Sequence, residues 1–108
     1  MEQMELACFQ LISNAGMAKS AFMEAQQLAE EKDFEGAAAK MKEGNDFLIA
    51  GHNSHAGLIQ KEAAGEPTTV SLLLLHAEDQ LMSAELIETT VTTNIKLLRR
   101  VAALESAS

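Results

Sequence analysis

His76 and Asp79 are the residues of this chain whose types and spacing best suit chemistry. They stand in the stretch Val70–Met82, VSLLLLHAEDQLM, where the histidine follows four consecutive leucines. With about 3.6 residues per helical turn, positions i and i+3 are neighbours, so an imidazole and a carboxylate share one face of a strongly apolar helix. A neutral imidazole is a competent nucleophile at about pH 7, since one nitrogen can attack phosphorus while a hydrogen bond orients the other. The same spacing also fits a partly buried core or interface histidine with a hydrogen-bond partner. No glycine-rich phosphate loop or Mg-nucleotide motif is present. Phosphoryl chemistry at His76 would therefore need one protein to supply the group and another to take it.

The remaining candidates are weaker. His52 and His55 also share a face at i,i+3 and, with His76, make a conceivable metal set, but no HExxH or cysteine pairing supports it. Polar positions at a helix interface are the favoured reading of both. Cys8 is the single cysteine, so no internal disulfide can form, which fits a reducing compartment. With no activating group in view it reads as a small buried side chain.

The elements that must position these residues are helices. A chain of 108 residues with 47% hydrophobic content is one domain, 1–108, with enough apolar material for a core. Its net charge of -8 argues against nucleic acid or an anionic membrane surface and favours protein partners with basic patches. The longest apolar run falls far short of the roughly 20 residues that span a bilayer. The opening MEQMEL carries no basic segment ahead of an apolar stretch, so no signal peptide is expected and the protein reads as cytoplasmic.

Apolar residues recur by threes and fours throughout, predicting helices over about 2–31, 34–62 and 70–104. The first seam is Met4, Cys8, Leu11, Ala15, Ala18, Phe22, Ala25 and Ala29. Gly16 lies inside that helix, where it marks a bend or the close approach of another backbone. Asp33 is a suitable N-cap for the second helix, whose seam is Phe34, Ala37, Met41, Gly44, Leu48, Gly51, His55 and Leu58. Gly65 and Pro67 end it, and Thr68 or Thr69 can cap the third helix.

The third helix carries two seams. One runs Val70, Leu74, Ala77, Leu81, Ala84, Glu88, Val91, Ile95, Leu98, Ala102, and the other Leu72, His76, Asp79, Ser83, Leu86, Thr90, Leu97. A lone antiparallel three-helix bundle uses only one, so a homo-oligomer is expected to cover the second.

Three stretches resemble one family along nearly the whole chain: Gly16-Met17-Ala18-Lys19-Ser20, similar to its G-x-A-R-S; Leu58-Ile59-Gln60-Lys61-Glu62-Ala63 followed by Gly65-Glu66; and Leu74-Leu75-His76-Ala77-Glu78-Asp79-Gln80-Leu81-Met82, similar to its L-V-H-A-Q-D-H-L-M. The family is the enzyme IIA component of lactose/cellobiose-type (chitobiose-type) sugar phosphotransferase systems. The resemblance implies an all-α protein, a homotrimer of antiparallel three-helix bundles. In it His76 takes a phosphoryl group from the histidine-containing phosphocarrier protein and passes it to a cysteine of the IIB component. It also implies that Asp79 lies on the trimer axis, where converging carboxylates call for one divalent cation per trimer, Mg²⁺ being the first choice. Contact with the membrane is only indirect, through the component that moves the disaccharide.

Departures from the pattern are Gln80 for the family's second histidine, Glu78 for its glutamine, and His55 for another glutamine. Gln80 cannot titrate, and Glu78 is expected to add negative charge beside the site. His55 is expected to vary packing more than chemistry. Outside the family, the rivals are a histidine phosphotransfer domain of a signalling relay and a non-catalytic helical adaptor. In the relay domain a lysine usually follows the histidine by about one turn, where this chain has Asp79.

Overall fold

In the computed structural model, which describes residues 3–107, α1 spans Gln3–Glu30, α2 Phe34–Ala63 and α3 Leu72–Ala107. The chain is an antiparallel three-helix bundle, drawn out to 62 × 22 × 20 Å because its helices are long.

Local chemistry sets the helix ends. α1 stops where Lys32 takes a left-handed conformation (φ 69°), letting the Asp33 N–H donate to the Leu28 carbonyl at 2.8 Å and the Lys32 N–H to that of Ala29 at 3.0 Å. Asp33 then caps α2, its Oδ1 accepting from the Gly36 N–H at 2.9 Å. The same turn geometry ends α2 at Gly65 (φ 87°), where the Glu66 N–H reaches the Lys61 carbonyl at 3.1 Å.

α3 begins later than its periodicity indicates. The cap is Ser71, not Thr68 or Thr69: its hydroxyl oxygen accepts from the Leu74 N–H at 3.1 Å. Val70 therefore precedes the helix and is exposed rather than part of the buried seam. At the far end α3 continues through Ala107, because nothing after Leu104 breaks it. The predicted start of the first helix at Glu2 lies outside the described residues.

The core follows the first seams closely. Cys8, Leu11, Ala15, Ala18, Phe22, Ala25 and Ala29 of α1 are buried against Ala37, Leu48 and Leu58 of α2 and Leu74, Ala77, Leu81, Ala84 and Val91 of α3. So many alanines let helix axes approach closely. Glycine carries this further at two positions: a Cβ on Gly44 would lie 2.4 Å from Cε1 of the buried Phe22 ring, and one on Gly51 would lie 3.0 Å from Leu81 Cδ1. Gly16 is not a point of close approach: α1 runs through it as one helix, and a Cβ there would meet nothing within 4 Å.

α1 packs along both other helices, whereas α2 and α3 touch each other far less. Polar groups take part in their contact. It includes the Arg99 guanidinium, 4.7 Å from the centre of the Phe34 ring, and histidine–carboxylate pairs nearer His76.

Candidate functional site

Ser71 fixes the start of α3 and so places His76 in its second turn. There Leu74, Ala77 and Leu81 anchor the inner face and leave the imidazole exposed on the outer one. His76 borders a shallow depression with Leu72 and Leu73. Leu72 is 83% exposed and Leu75 57% exposed, so the ring stands at the edge of an apolar surface. That surface extends along α3 through Met82, Leu86, Leu97, Val101 and Leu104, and Asp79 falls in line with it.

The steps Leu72, Leu75, Asp79, Met82 and Leu86 alternate three and four, the seam of a helix that packs against another helix. The second seam expected from sequence is thereby corrected. Leu75 and Met82 belong to it, while His76 and Ser83 lie at its edge.

The three histidines do not converge. His55 Nδ1 lies 2.8 Å from Oε1 and 2.7 Å from Oε2 of Glu78, joining α2 to α3. His52 Nε2 pairs with Glu85 along the same line. Among the described residues no group of three or more His, Cys, Asp or Glu side chains is placed to hold a metal. Asp79 is exposed and has no hydrogen-bond or ion-pair partner among the described residues. A hard, uncommitted carboxylate suits Mg²⁺, but one chain offers only one, so a metal there needs other copies.

Two hydrogen bonds reach this region from α1 and α2 and were not legible in the residue spacing. Lys19 Nζ on α1 donates to Oε1 of Gln80, one turn along α3 from His76. Glu78 is turned towards α2, where its carboxylate meets His55 rather than facing the site. Cys8 is completely buried in α1; burial pushes its thiol above the ordinary range, and the charges of Glu78 and Glu5 add to the effect. That is a packed, inert thiol.

Comparison with known proteins decides among the readings. Residues 6–99 match the family described as "PTS system, Lactose/Cellobiose specific IIA subunit". The chain belongs to that family. It is similar to the lichenan-specific phosphotransferase enzyme IIA component of Bacillus subtilis, 36% identical over 107 residues, with 99% of this chain and 97% of that one covered. The PTS cellobiose-specific enzyme IIA of Bacillus anthracis superposes with a TM-score of 0.93 at 37% identity, covering 95% of this chain and 94% of that one. IIA(Chitobiose) of Escherichia coli, solved in complex with HPr, superposes with a TM-score of 0.81 at 31% identity, covering 94% and 99%. The chain is thus an enzyme IIA, a phosphotransferase component of a lactose/cellobiose-type sugar transport system. Neither the relay domain nor the passive adaptor survives this match.

Membership also gives the departures a structural meaning. His55 and Glu78, each replacing a glutamine usual in the family, are each other's partners. Lys19, where the family motif has arginine, meets Gln80, where it has histidine.

No helix is long and apolar enough to cross a membrane among the described residues.

Proposed function

We propose that His76 is the phosphoryl-carrying residue of this enzyme IIA, loaded by HPr and unloaded onto a cysteine of the IIB component. The observation that carries the reading is that His76 is the histidine left exposed with no carboxylate partner, whereas His52 and His55 are each tied to a glutamate of α3. A free ring at the edge of an apolar surface can be covered by a partner protein and attack in line. On His52 the Nε2 and on His55 the Nδ1 is already taken by a glutamate, and His55 is set between α2 and α3. HPr as donor is supported by the complex in which the Escherichia coli relative was solved.

The work takes place in the cytoplasm, and the enzyme acts as a homotrimer in which the unpartnered stripe of α3 packs against its copies. Asp79 of each chain would then face the others and hold one Mg²⁺, which neutralises the converging carboxylates. The chain's own residues do the rest. Leu72 and Leu75 give the partner an apolar landing surface, and the net charge of -8 favours partners with basic residues around their own sites.

The experiment is phosphoryl transfer from HPr carrying a ³²P-phosphohistidine. His76→Gln abolishes labelling and leaves the helical circular dichroism unchanged, whereas His52→Gln and His55→Gln remain labelled. An acid-labile, base-stable phosphate found on His52 or His55 overturns the reading.

A further inference from the structure

We infer that Lys19 is the cation that receives the phosphoryl group on His76, and that Gln80 holds its ammonium ready until the group arrives. The inference rests on His76 being the acceptor, as proposed above.

Successive residues of a helix are turned by about 100°, so Gln80 projects only ~40° from the direction of His76, Asp79 ~60° to the other side, and Glu78 ~160° away. Gln80 is the i+4 neighbour of His76, with side-chain bases roughly 5–6 Å apart. Side chains on a helix lean towards its N-terminus, which brings the Gln80 amide back towards His76. The Lys19 ammonium donates to that amide from across the α1–α3 contact. A lysine stem is flexible enough to swing its charge through the remaining turn.

The need for a cation is clear from the charges. A phosphoryl group brings about -1.5 to -2 to a chain already at -8, with Asp79 on one flank. Lys19 is the one Lys or Arg in α1. In α3 the first is Lys96, about 30 Å further along the helix at 1.5 Å per residue. Lys61, near the end of α2, donates to Gln3 of α1. Lys40 is engaged by Glu24 and Glu43. Lys19 is held by a neutral amide, a partner it can leave for a phosphoryl oxygen at little cost.

The step is an exchange between two imidazoles. A nitrogen lone pair of His76 forms the new N–P bond as the P–N bond to the donor's histidine breaks, and that electron pair stays with the departing nitrogen. The phosphoryl group keeps its charge, and the proton given up by one ring is taken by the other. Lys19 enters only by moving its hydrogen bond from Gln80 to the transferred group.

The test uses the full chain with ³²P-labelled HPr and compares wild type, Lys19→Gln, Lys19→Arg and Gln80→Ala. Lys19→Gln slows acceptance on the order of tenfold, the loss of one charge-assisted hydrogen bond, and Lys19→Arg restores most of it. In ³¹P titrations of the phosphorylated protein, Lys19→Gln moves the protonation of the phosphoryl group to higher pH, which a purely structural lysine would not do. Gln80→Ala removes the same interhelical hydrogen bond but leaves the cation, so it slows transfer much less. Equal losses in Lys19→Gln and Gln80→Ala overturn the inference, as does an unchanged ³¹P titration in Lys19→Gln. A wild-type protein that is never labelled on His76 defeats the acceptor assignment itself, and Lys19 falls with it. Labelling on His76 with no effect of Lys19→Gln defeats the role of Lys19 alone.

Discussion

On the proposed assembly, Asp79→Leu should turn a metal-dependent trimer into one indifferent to metal. In a cyclic trimer packed through α3, the three Asp79 carboxylates share a layer with apolar side chains above and below them. At separations of ~5 Å and an effective dielectric of ~20, each pair repels by ~3 kcal/mol, and three pairs by ~10 kcal/mol. Opposing this are Leu72, Leu75, Met82, Leu86, Leu97, Val101 and Leu104 of each chain, all about half exposed or more in the single chain. Burying what remains of each contributes ~1–2 kcal/mol. That amounts to ~20–40 kcal/mol over three chains, from which two association steps remove ~4–15 kcal/mol each. The charge layer is therefore comparable to the net gain, and neutralising it determines whether the trimer holds. EDTA should dissociate the wild type at micromolar concentrations. Asp79→Leu should remain trimeric with or without chelator, since leucine removes the repulsion and extends the stripe. Sedimentation velocity of both proteins, with and without EDTA, reads this directly. A wild type that is monomeric in added Mg²⁺ would refute the trimer, and one that stays trimeric in EDTA would refute the part given to Asp79.

Three further outcomes follow from the packing. His55→Ala and Glu78→Ala should each cost ~1 kcal/mol because each leaves a half-buried partner unpaired, while the double variant costs less than their sum; a double-mutant cycle in urea measures the coupling, and strict additivity would mean the contact carries no energy. Gly44→Ala should destabilise by ~1–3 kcal/mol because its Cβ meets the buried Phe22 ring, whereas Gly16→Ala, with open space around its Cβ, should stabilise by ~0.5–1 kcal/mol; urea midpoints that fail to move in opposite directions would count against this packing. Cys8 holds its proton more tightly folded than unfolded, so stability should fall as pH rises above the unfolded thiol's range towards the higher folded value, and Cys8→Ala should flatten that fall in thermal melts between pH ~8 and ~10.

Much of the fold was legible because α1 buries one continuous seam. From Cys8 to Ala29 every member of the expected series is inside, and a three-four pattern of apolar residues has few other ways to fold. α3 was harder to read. Its leucines at positions 72 to 75 surround the helix, so periodicity alone could not say which two lined the outer stripe, and it took His76 where the structure has Leu75. The start of α3 is ambiguous in sequence because Thr68, Thr69 and Ser71 are all acceptable caps. Only the observed bond to the Leu74 N–H distinguishes them. His76 and Asp79 were visible as neighbours within one helix. Lys19–Gln80 and His55–Glu78 were not, because they join different helices, and no spacing along the chain encodes which face of α1 or α2 meets α3.

Those two contacts also explain how one short stretch serves several purposes without conflict. Glu78, Asp79 and Gln80 are consecutive, and the ~100° turn between them sends each in a separate direction. Glu78 goes to α2 and meets His55, Gln80 goes to α1 and meets Lys19, and Asp79 goes to the open face. The two internal contacts reinforce the rotation of α3 that burial of Leu74, Ala77 and Leu81 sets, since a slip of one residue would break both and lift those side chains out of the core. With the rotation fixed, Asp79 can only lie in the apolar stripe and His76 can only lie between Asp79 and Gln80. Asp79, the charge proposed to oppose assembly, and His76, the proposed nucleophile, are thus set by the same rotation, at different angles around the helix. Breaking both contacts together, as in Glu78→Ala with Gln80→Ala, should loosen the proposed trimer and slow phosphoryl acceptance in parallel, although neither side chain would face the axis. Sedimentation and ³²P transfer on that one variant measure both effects, and loss of transfer from a trimer as tight as wild type would show that α3 keeps its rotation without them.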